Sequence, residues 1–294
     1  MTQRLHLALD VTGEDVEDRV LAAEAAGFAF VTLTDSPVPA GIEAGVRAAF
    51  LSRRTSRIGI LPQLHATVTE PFHLATQLAS LDHASQGRAG WLVGADSSPA
   101  AFASVGEPPV TGDDLRREVD DVIDVARRLW DSWEDDAIIR DTATGRFLDP
   151  DRVHHVDFTG ARFSVTGPLI TPRPPQGQLV VAGADTLAVT GRLDIALVAA
   201  EGADEIAGRA VRARADGARL VFADVDALDV RLLDRLAGVV DGVRLRAAVT
   251  GADLPAVAAA IGPPPPARRT LRETLGLPRP ANRYTLSRLV DQNA

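Results

Sequence analysis

The strongest constraint on this chain is a rhythm: short β-rich runs alternate with amphipathic stretches almost from end to end. "LHLALDV" (Leu5 to Val11) precedes a helical stretch from about Glu14 to Ala26, and Gly27 offers the left-handed position that closes a helix. "FAFVTLTD" (Phe28 to Asp35), "RIGILPQLH" (Arg57 to His65) and "RAGWLVGA" (Arg88 to Ala95) repeat the pattern, with helical stretches at about 41–54 and from Pro71 to Gly87 between them. A long amphipathic segment, about Asp113 to Trp133, predicts a further helix. The rhythm breaks over about 137–177, where turn signals and short alternating runs predict an extended insertion or hairpin. It resumes with "LVVAGA", "DIALVAA", "ARLVFADV" and "GVRLRAAV", which start at Leu179, Asp194, Ala218 and Gly242.

Eight strands with helices between them predict a closed parallel barrel, because right-handed β-α-β connections then bury both faces of every strand. A doubly wound open sheet explains the count less well. The expected fold class is therefore α/β, one (β/α)8 TIM barrel over 1–294, with a tail at about 263–294 whose "PPPP" (Pro263 to Pro266) is stiff and extended. Such barrels bind ligands at the C-terminal strand ends, here Asp35, His65, 94–97, 183–186, Glu201, Asp224 and Thr250.

Composition narrows the chemistry. The chain has no cysteine, which excludes disulfides, thiolate catalysis and zinc-thiolate sites. All 31 basic residues are arginine, the net charge is −9 and no basic stripe stands out, so a nucleic-acid partner is not expected. Charged or turn residues interrupt every apolar run before it is long enough to span a bilayer. The chain opens directly in an alternating stretch, not a signal peptide, and the cytoplasm fits best.

Four segments in order carry a resemblance: "EPFHLATQLASLDHASQGRAGW" (from Glu70), "LWDSWEDDA" (from Leu129), "FSVTGPLITPRPPQG" (from Phe163) and "LRETLGLPRPANRY" (from Leu271). Together they resemble the nitrilotriacetate monooxygenase branch of the bacterial-luciferase-like flavin monooxygenases. The resemblance implies a barrel that takes reduced FMN from a separate flavin reductase, lets it react with O2 to a flavin hydroperoxide, and so oxidises a small organic substrate. It also implies a homodimer, and it assigns "GPLITPRPPQG" and the C-terminal tail to a lid and a dimer-forming outer surface.

Mapped onto this chain, the family's flavin site falls on Asp35, His65, Ala66, Leu92, Gly183, Asp185 and Thr186. Asp35 ends the second strand, where a carboxylate accepts from ring or substrate; the other reading is a turn or helix-capping aspartate ahead of Pro37. His65 and Ala66 stand where the family has serine and threonine; an imidazole there suits proton transfer at neutral pH, which makes His65, with Asp35, the catalytic candidate. Leu92 replaces an asparagine. In "AGADTLAVTG", Asp185 replaces the serine and Ala188 the glycine of a turn that opens a short helix and holds the FMN phosphate. Thr186 is the nearest hydroxyl, and Arg116 and Arg117 are candidate compensating charges. His73, Asp82 and His83 read as structural, since adjacent helical residues do not face each other. Arg88 reads as an anchor of the lower face. His154 and His155 fall on opposite sides of a strand, which argues against a joint metal site and leaves one of them for the lid. The acids of "WDSWEDDA" read as a helix end, and no metal site is expected. Two alternatives stay open: a degenerate barrel serving as a binding or partner subunit, and a deazaflavin-dependent oxidoreductase.

Overall fold

The structure, a computed structural model, describes residues 5–13, 15–38, 41–226, 230–246, 254–261 and 270–285. The strands are β1 (His6–Val11), β2 (Phe30–Leu33), β3 (Gly59–His65), β4 (Gly90–Gly94), β5 (Ile138–Asp141), β6 (Arg146–Leu148), β7 (Phe158–Thr159), β8 (Ser164–Val165), β9 (Val180–Ala184), β10 (Ile195–Ala199), β11 (Leu220–Val225) and β12 (Gly242–Leu245). The helices are α1 (Val16–Ala25), α2 (Ala44–Ser52), α3 (Pro71–Ala84), α4 (Pro99–Val105), α5 (Gly112–Asp131), α6 (Ala203–Ala215), α7 (Val230–Leu236), α8 (Leu254–Ile261) and α9 (Leu271–Thr274).

Eight of the strands close a parallel barrel in the order β1-β12-β11-β10-β9-β4-β3-β2. Strand periodicity sorts their side chains: Ala8, Phe30, Leu61, Leu92, Ile195 and Phe222 belong to the inner core, while Leu9, Val31, Ile60, Trp91 and Val198 belong to the outer core shared with the helices. Buried indoles keep their hydrogen bonds: Trp91 Nε1 donates to Leu64 O at 3.0 Å, and Trp130 Nε1 donates to Ala75 O at 3.1 Å, fastening α5 to α3. The quoted α3 stretch is a well-signalled helix. Glu70 accepts from the N–H groups of Phe72 and His73, Pro71 opens the first turn, and Gly87 at φ +86° closes the connection.

The insertion forms two antiparallel hairpins, β5-β6 and β7-β8, as the turn signals predict. Two features differ from the expectation. The additional helix α4 is capped by Ser98 and closed by Gly106 in the left-handed region. No α-helix joins β9 to β10; that connection is two 3-10 turns, Asp185–Leu187 and Thr190–Arg192. Glu14, Thr250 and Pro263 to Pro266 lie outside the described residues.

The lower end of the barrel, at the N-terminal strand ends, corrects the assignment of the tail. Leu271, Leu275 and Leu277 join the inner core and plug the barrel from below. Gly59 makes room, since a Cβ there would meet Leu271 Cδ1 at 2.6 Å. The fully buried Asp82 accepts from Gln176 Nε2 at 2.6 Å, and Gln176 Oε1 accepts the N–H of Arg272 at 3.0 Å. Arg272 donates to the carbonyls of Gln178 and Leu179 and pairs with Asp194 at 3.0 Å. Burial works against the charge on Asp194, but Arg127 and Arg272 beside it overcome this and hold its carboxyl below the ordinary range. Arg173 in turn pairs with Asp131 at 2.9 Å and donates to Pro280 O. "GPLITPRPPQG" and "LRETLGLPRPANRY" are thus braces and a plug at the lower end, because their polar groups bond to helix ends, strand starts and one another there. Arg88 belongs to this end as expected, donating to the carbonyls of Ser52, Thr55 and Ile58.

Candidate active site at the barrel mouth

The upper end differs in kind. The last inward-facing positions of β1, β2, β11 and β12 carry Asp10, Thr32, Asp224 and Arg244. Asp10 Oδ1 accepts from the hydroxyls of Thr32 and Thr34, each at 2.6 Å. Arg244 forms a bidentate pair with Asp224 at 2.7 and 2.5 Å, donates to Thr32 Oγ1 at 3.2 Å, and lies 3.7 Å from Asp10. This charged half of the floor faces an apolar half on β4, β9 and β10, made by Leu92, Ala182 and Leu197.

Between the halves stands β3. Gln63 Oε1 accepts the N–H of Asp35 at 3.0 Å, which fixes the amide's orientation and leaves Nε2 without a partner among the described residues. His65 Nδ1 accepts the N–H of Asp96 at 3.3 Å, and Nε2 lies 3.2 Å from Asp35 O. That pattern assigns the tautomer with the proton on Nε2. Gly94 allows the close fit, since a Cβ there would meet the imidazole at 2.6 Å. A cavity of about 190 Å³ beside this group is lined by Asp35, Gln63, His65, Glu43, Val68 and Ser104, among others.

Of the residues expected at the site, the structure brings Asp35 and His65 together. Asp35 is held as a cap, its carboxylate accepting from the N–H groups of Ser36 at 2.8 Å and Ala44 at 2.7 Å. His65 has both ring nitrogens on backbone partners, so proton transfer through it requires one of them to let go. Leu92 faces the lumen beside Gln63, its register partner. Ala66 packs in the outer core, and a Cβ at Gly183 would meet Leu187 and Leu193, so neither presents a side chain to the lumen.

Asp185 and Thr186 sit on the short turn after β9, with Thr186 exposed. Asp185 is held by Arg209 of α6, Nε to Oδ2 at 2.9 Å and Nη2 to Oδ1 at 2.5 Å. Arg116 and Arg117 are not the compensating charges; they pair with Asp113 and Asp114 one helical turn away on an exposed face of α5. His154 is tied below the mouth, bonded to Glu134 at 2.8 Å and stacked on Tyr284, so it is not the histidine available to a lid; His155 is exposed. The acids of "WDSWEDDA" are spent on cations: Asp135 on Arg173 and Arg279, Asp136 on Arg152. No group of three His, Cys, Asp or Glu among the described residues is placed to hold a metal.

Sequence reading passed over Asp10, Gln63, Arg209 and Arg244. A signal was present for two of them: Asp10 and Arg244 are charges at the last inward positions of their strands, where the face turns from core to mouth.

Comparison with known proteins agrees with this architecture. The family described as luciferase-like monooxygenase matches residues 2–238. One of the component chains of pristinamycin IIA synthase from Streptomyces pristinaespiralis is 35% identical over 277 residues, covering 91% of this chain and 90% of that one. N-acetyl-S-(2-succino)cysteine monooxygenase from Bacillus subtilis (strain 168) is 42% identical over 132 residues; the match spans 45% of this chain and only 30% of that enzyme's length. Among solved structures, EDTA monooxygenase from Chelativorans sp. BNC1 superposes with a TM-score of 0.80 at 18% identity, covering 94% of this chain and 99% of that one, a likeness of fold.

Proposed function

The chain belongs to the luciferase-like monooxygenase family, and we propose that it is the oxygenating component of a two-component flavin monooxygenase. It takes reduced flavin from a separate reductase and, with O2, oxidises a small organic substrate in the cytoplasm. The observation that carries this reading is the divided floor of the mouth: Leu92, Ala182 and Leu197 on one side, the Asp10, Thr32, Arg244 and Asp224 network on the other. A flat heteroaromatic with one apolar and one hydrogen-bonding edge suits such a floor. Bound there, reduced flavin supplies the electrons that activate O2.

The protein's own share is binding, orientation and exclusion of water. Gln63 Nε2 donates to an acceptor on the ligand, its direction fixed by the bond from Asp35. His65 is a positioning residue that ties the loops after β2 and β4 together through Asp35 O and Asp96 N. Leu92 contributes contact area and no hydrogen bond. The ring end of FMN fits these residues, whereas the phosphate end does not fit the turn at Asp185–Leu187, where a carboxylate meets it. We also propose one barrel domain over the whole chain, and a homodimer through the outer face of α2 and the residues before it. There Ile42, Val46 and Phe50, spaced four apart, are 65%, 55% and 57% exposed.

Anaerobic calorimetric titration with reduced flavin tests the central reading. Micromolar binding, about −8 kcal/mol, is expected; absence of binding by both reduced FMN and reduced riboflavin contradicts it, and binding of a deazaflavin alone favours the deazaflavin-dependent oxidoreductase instead. Phe50→Asp tests the dimer: sedimentation is expected to shift to monomer with the stability within about 0.5 kcal/mol of the parent, as for a surface change.

A further inference from the structure

At the β9 end of the mouth, the turn Asp185–Leu187 is a single 3-10 turn, too short to present a row of free amides or a helix dipole to an anion. Its first residue offers a carboxylate instead of a hydroxyl. That carboxylate is not free to turn into solvent, because Arg209 grips both of its oxygens and also donates to Ala199 O, a carbonyl of the neighbouring strand β10. Both partners are mostly buried, at 18% and 16% side-chain exposure, so water screens them little. The guanidinium is thereby spent on the protein's own charge. The wider mouth has the same sign: Asp10, Asp35, Asp96, Asp185, Glu201, Asp224 and Asp226 stand at described strand ends, against Arg19, Arg209, Arg244 and Arg246, of which Arg19 is held by the carbonyls of Asp10 and Thr12 and Arg246 pairs with Asp226.

A phosphomonoester carries about −1.5 to −2 charges at neutral pH. To settle on this turn it must either approach Asp185 or pull Arg209 from it, leaving a mostly buried carboxylate unpaired. A hydroxyl-terminated ribityl chain meets neither obstacle, and its hydroxyls are suited to donate to the oxygens of Asp185. We infer that the Asp185–Arg209 pair selects against phosphate, and that the flavin this mouth takes is the unphosphorylated one, at the level of riboflavin. The inference rests on the flavin reading above and names which flavin that site accepts.

Anaerobic calorimetry with reduced riboflavin and reduced FMN, on the full chain and on Asp185→Asn, tests it. The parent is expected to bind reduced riboflavin at least tenfold more tightly than reduced FMN. Asp185→Asn removes the charge at nearly constant shape, and should tighten FMN tenfold or more while riboflavin, which loses an acceptor for its ribityl hydroxyls, does not tighten. A second measurement needs no variant: raising the salt from about 0.1 to 1 M shortens the screening length from about 10 to 3 Å and should narrow the gap between the two flavins. FMN binding more tightly than riboflavin to the parent, or a ratio unchanged by Asp185→Asn and by salt, overturns the selection while leaving the flavin reading in place. Binding of neither flavin overturns the flavin reading itself.

Discussion

The two ends of the barrel use charge in opposite ways. At the lower end, Asp82, Asp131, Asp194, Arg173 and Arg272 are buried, and their bonds run to strand starts, the tail and one another. At the mouth, polar groups are only partly spent: Gln63 Nε2 lacks a partner among the described residues, and Thr186 is exposed. The four segments that resemble the family lie mainly at or against the lower end. Resemblance there reports architecture, because a buried charge network tolerates few substitutions. On the proposed reading, the mouth, where Leu92 and Asp185 depart from the pattern the resemblance implies, is where ligand choice is set.

The contrast breaks most readily at Arg272. Arg272→Met leaves buried Asp194 with Arg127 at 3.1 Å and the more exposed Arg219 at 3.9 Å, and strips two strand-start carbonyls of their donor. Urea denaturation should show a loss of about 3–5 kcal/mol; a loss under about 1 kcal/mol would mean that the lower network is decoration.

Asp82 sharpens the comparison through pH. Burial pushes its carboxyl up from an ordinary 3.8 to about 6, against the bonds from Gln176 and Ala89 that favour the charge. Between those two values the folded chain holds a proton that the unfolded chain has released. The group's stabilising contribution is therefore full below about 4 and is lost as the pH rises through 6, a change on the order of 3 kcal/mol. The stability gap between the parent and Asp82→Asn, which cannot ionise, should shift in the parent's favour by about 2 kcal/mol of that from pH 8 to pH 4.5. A gap constant with pH would show that Asp82 is not titrating there.

A smaller effect on stability than at either lower-end residue is expected at the mouth. His65→Ala removes two long hydrogen bonds, at 3.2 and 3.3 Å, and should cost about 1 kcal/mol of stability. Reduced-flavin affinity should nonetheless fall by about tenfold, the equivalent of 1.4 kcal/mol, because the loops after β2 and β4 lose their tie. Unchanged affinity and turnover would remove His65 from the site.

Most of the barrel is legible because strand alternation and Gly or Pro stops are local signals. Even α4 had its signals in Ser98, Pro99 and Gly106, although no strand rhythm drew attention to them. The mouth was less legible because its partnerships join residues far apart in the chain. Asp185 meets Arg209 of α6 across the intervening strand β10, and His65 is fixed by backbone atoms of Asp35 and Asp96, whose identity no motif encodes. The tail was misplaced for the same reason: whether "LRETLGL" covers a mouth or plugs a floor depends on which strand ends its leucines and Arg272 reach.

The most direct test of the account is anaerobic hydrogen exchange, with and without reduced riboflavin. The account predicts slowed exchange at about 34–36, 63–69, 94–98 and 184–190, with 82–89 and 270–277 unchanged. Protection centred on the lower end, or none anywhere at saturating flavin, would contradict the assignment of chemistry to the mouth.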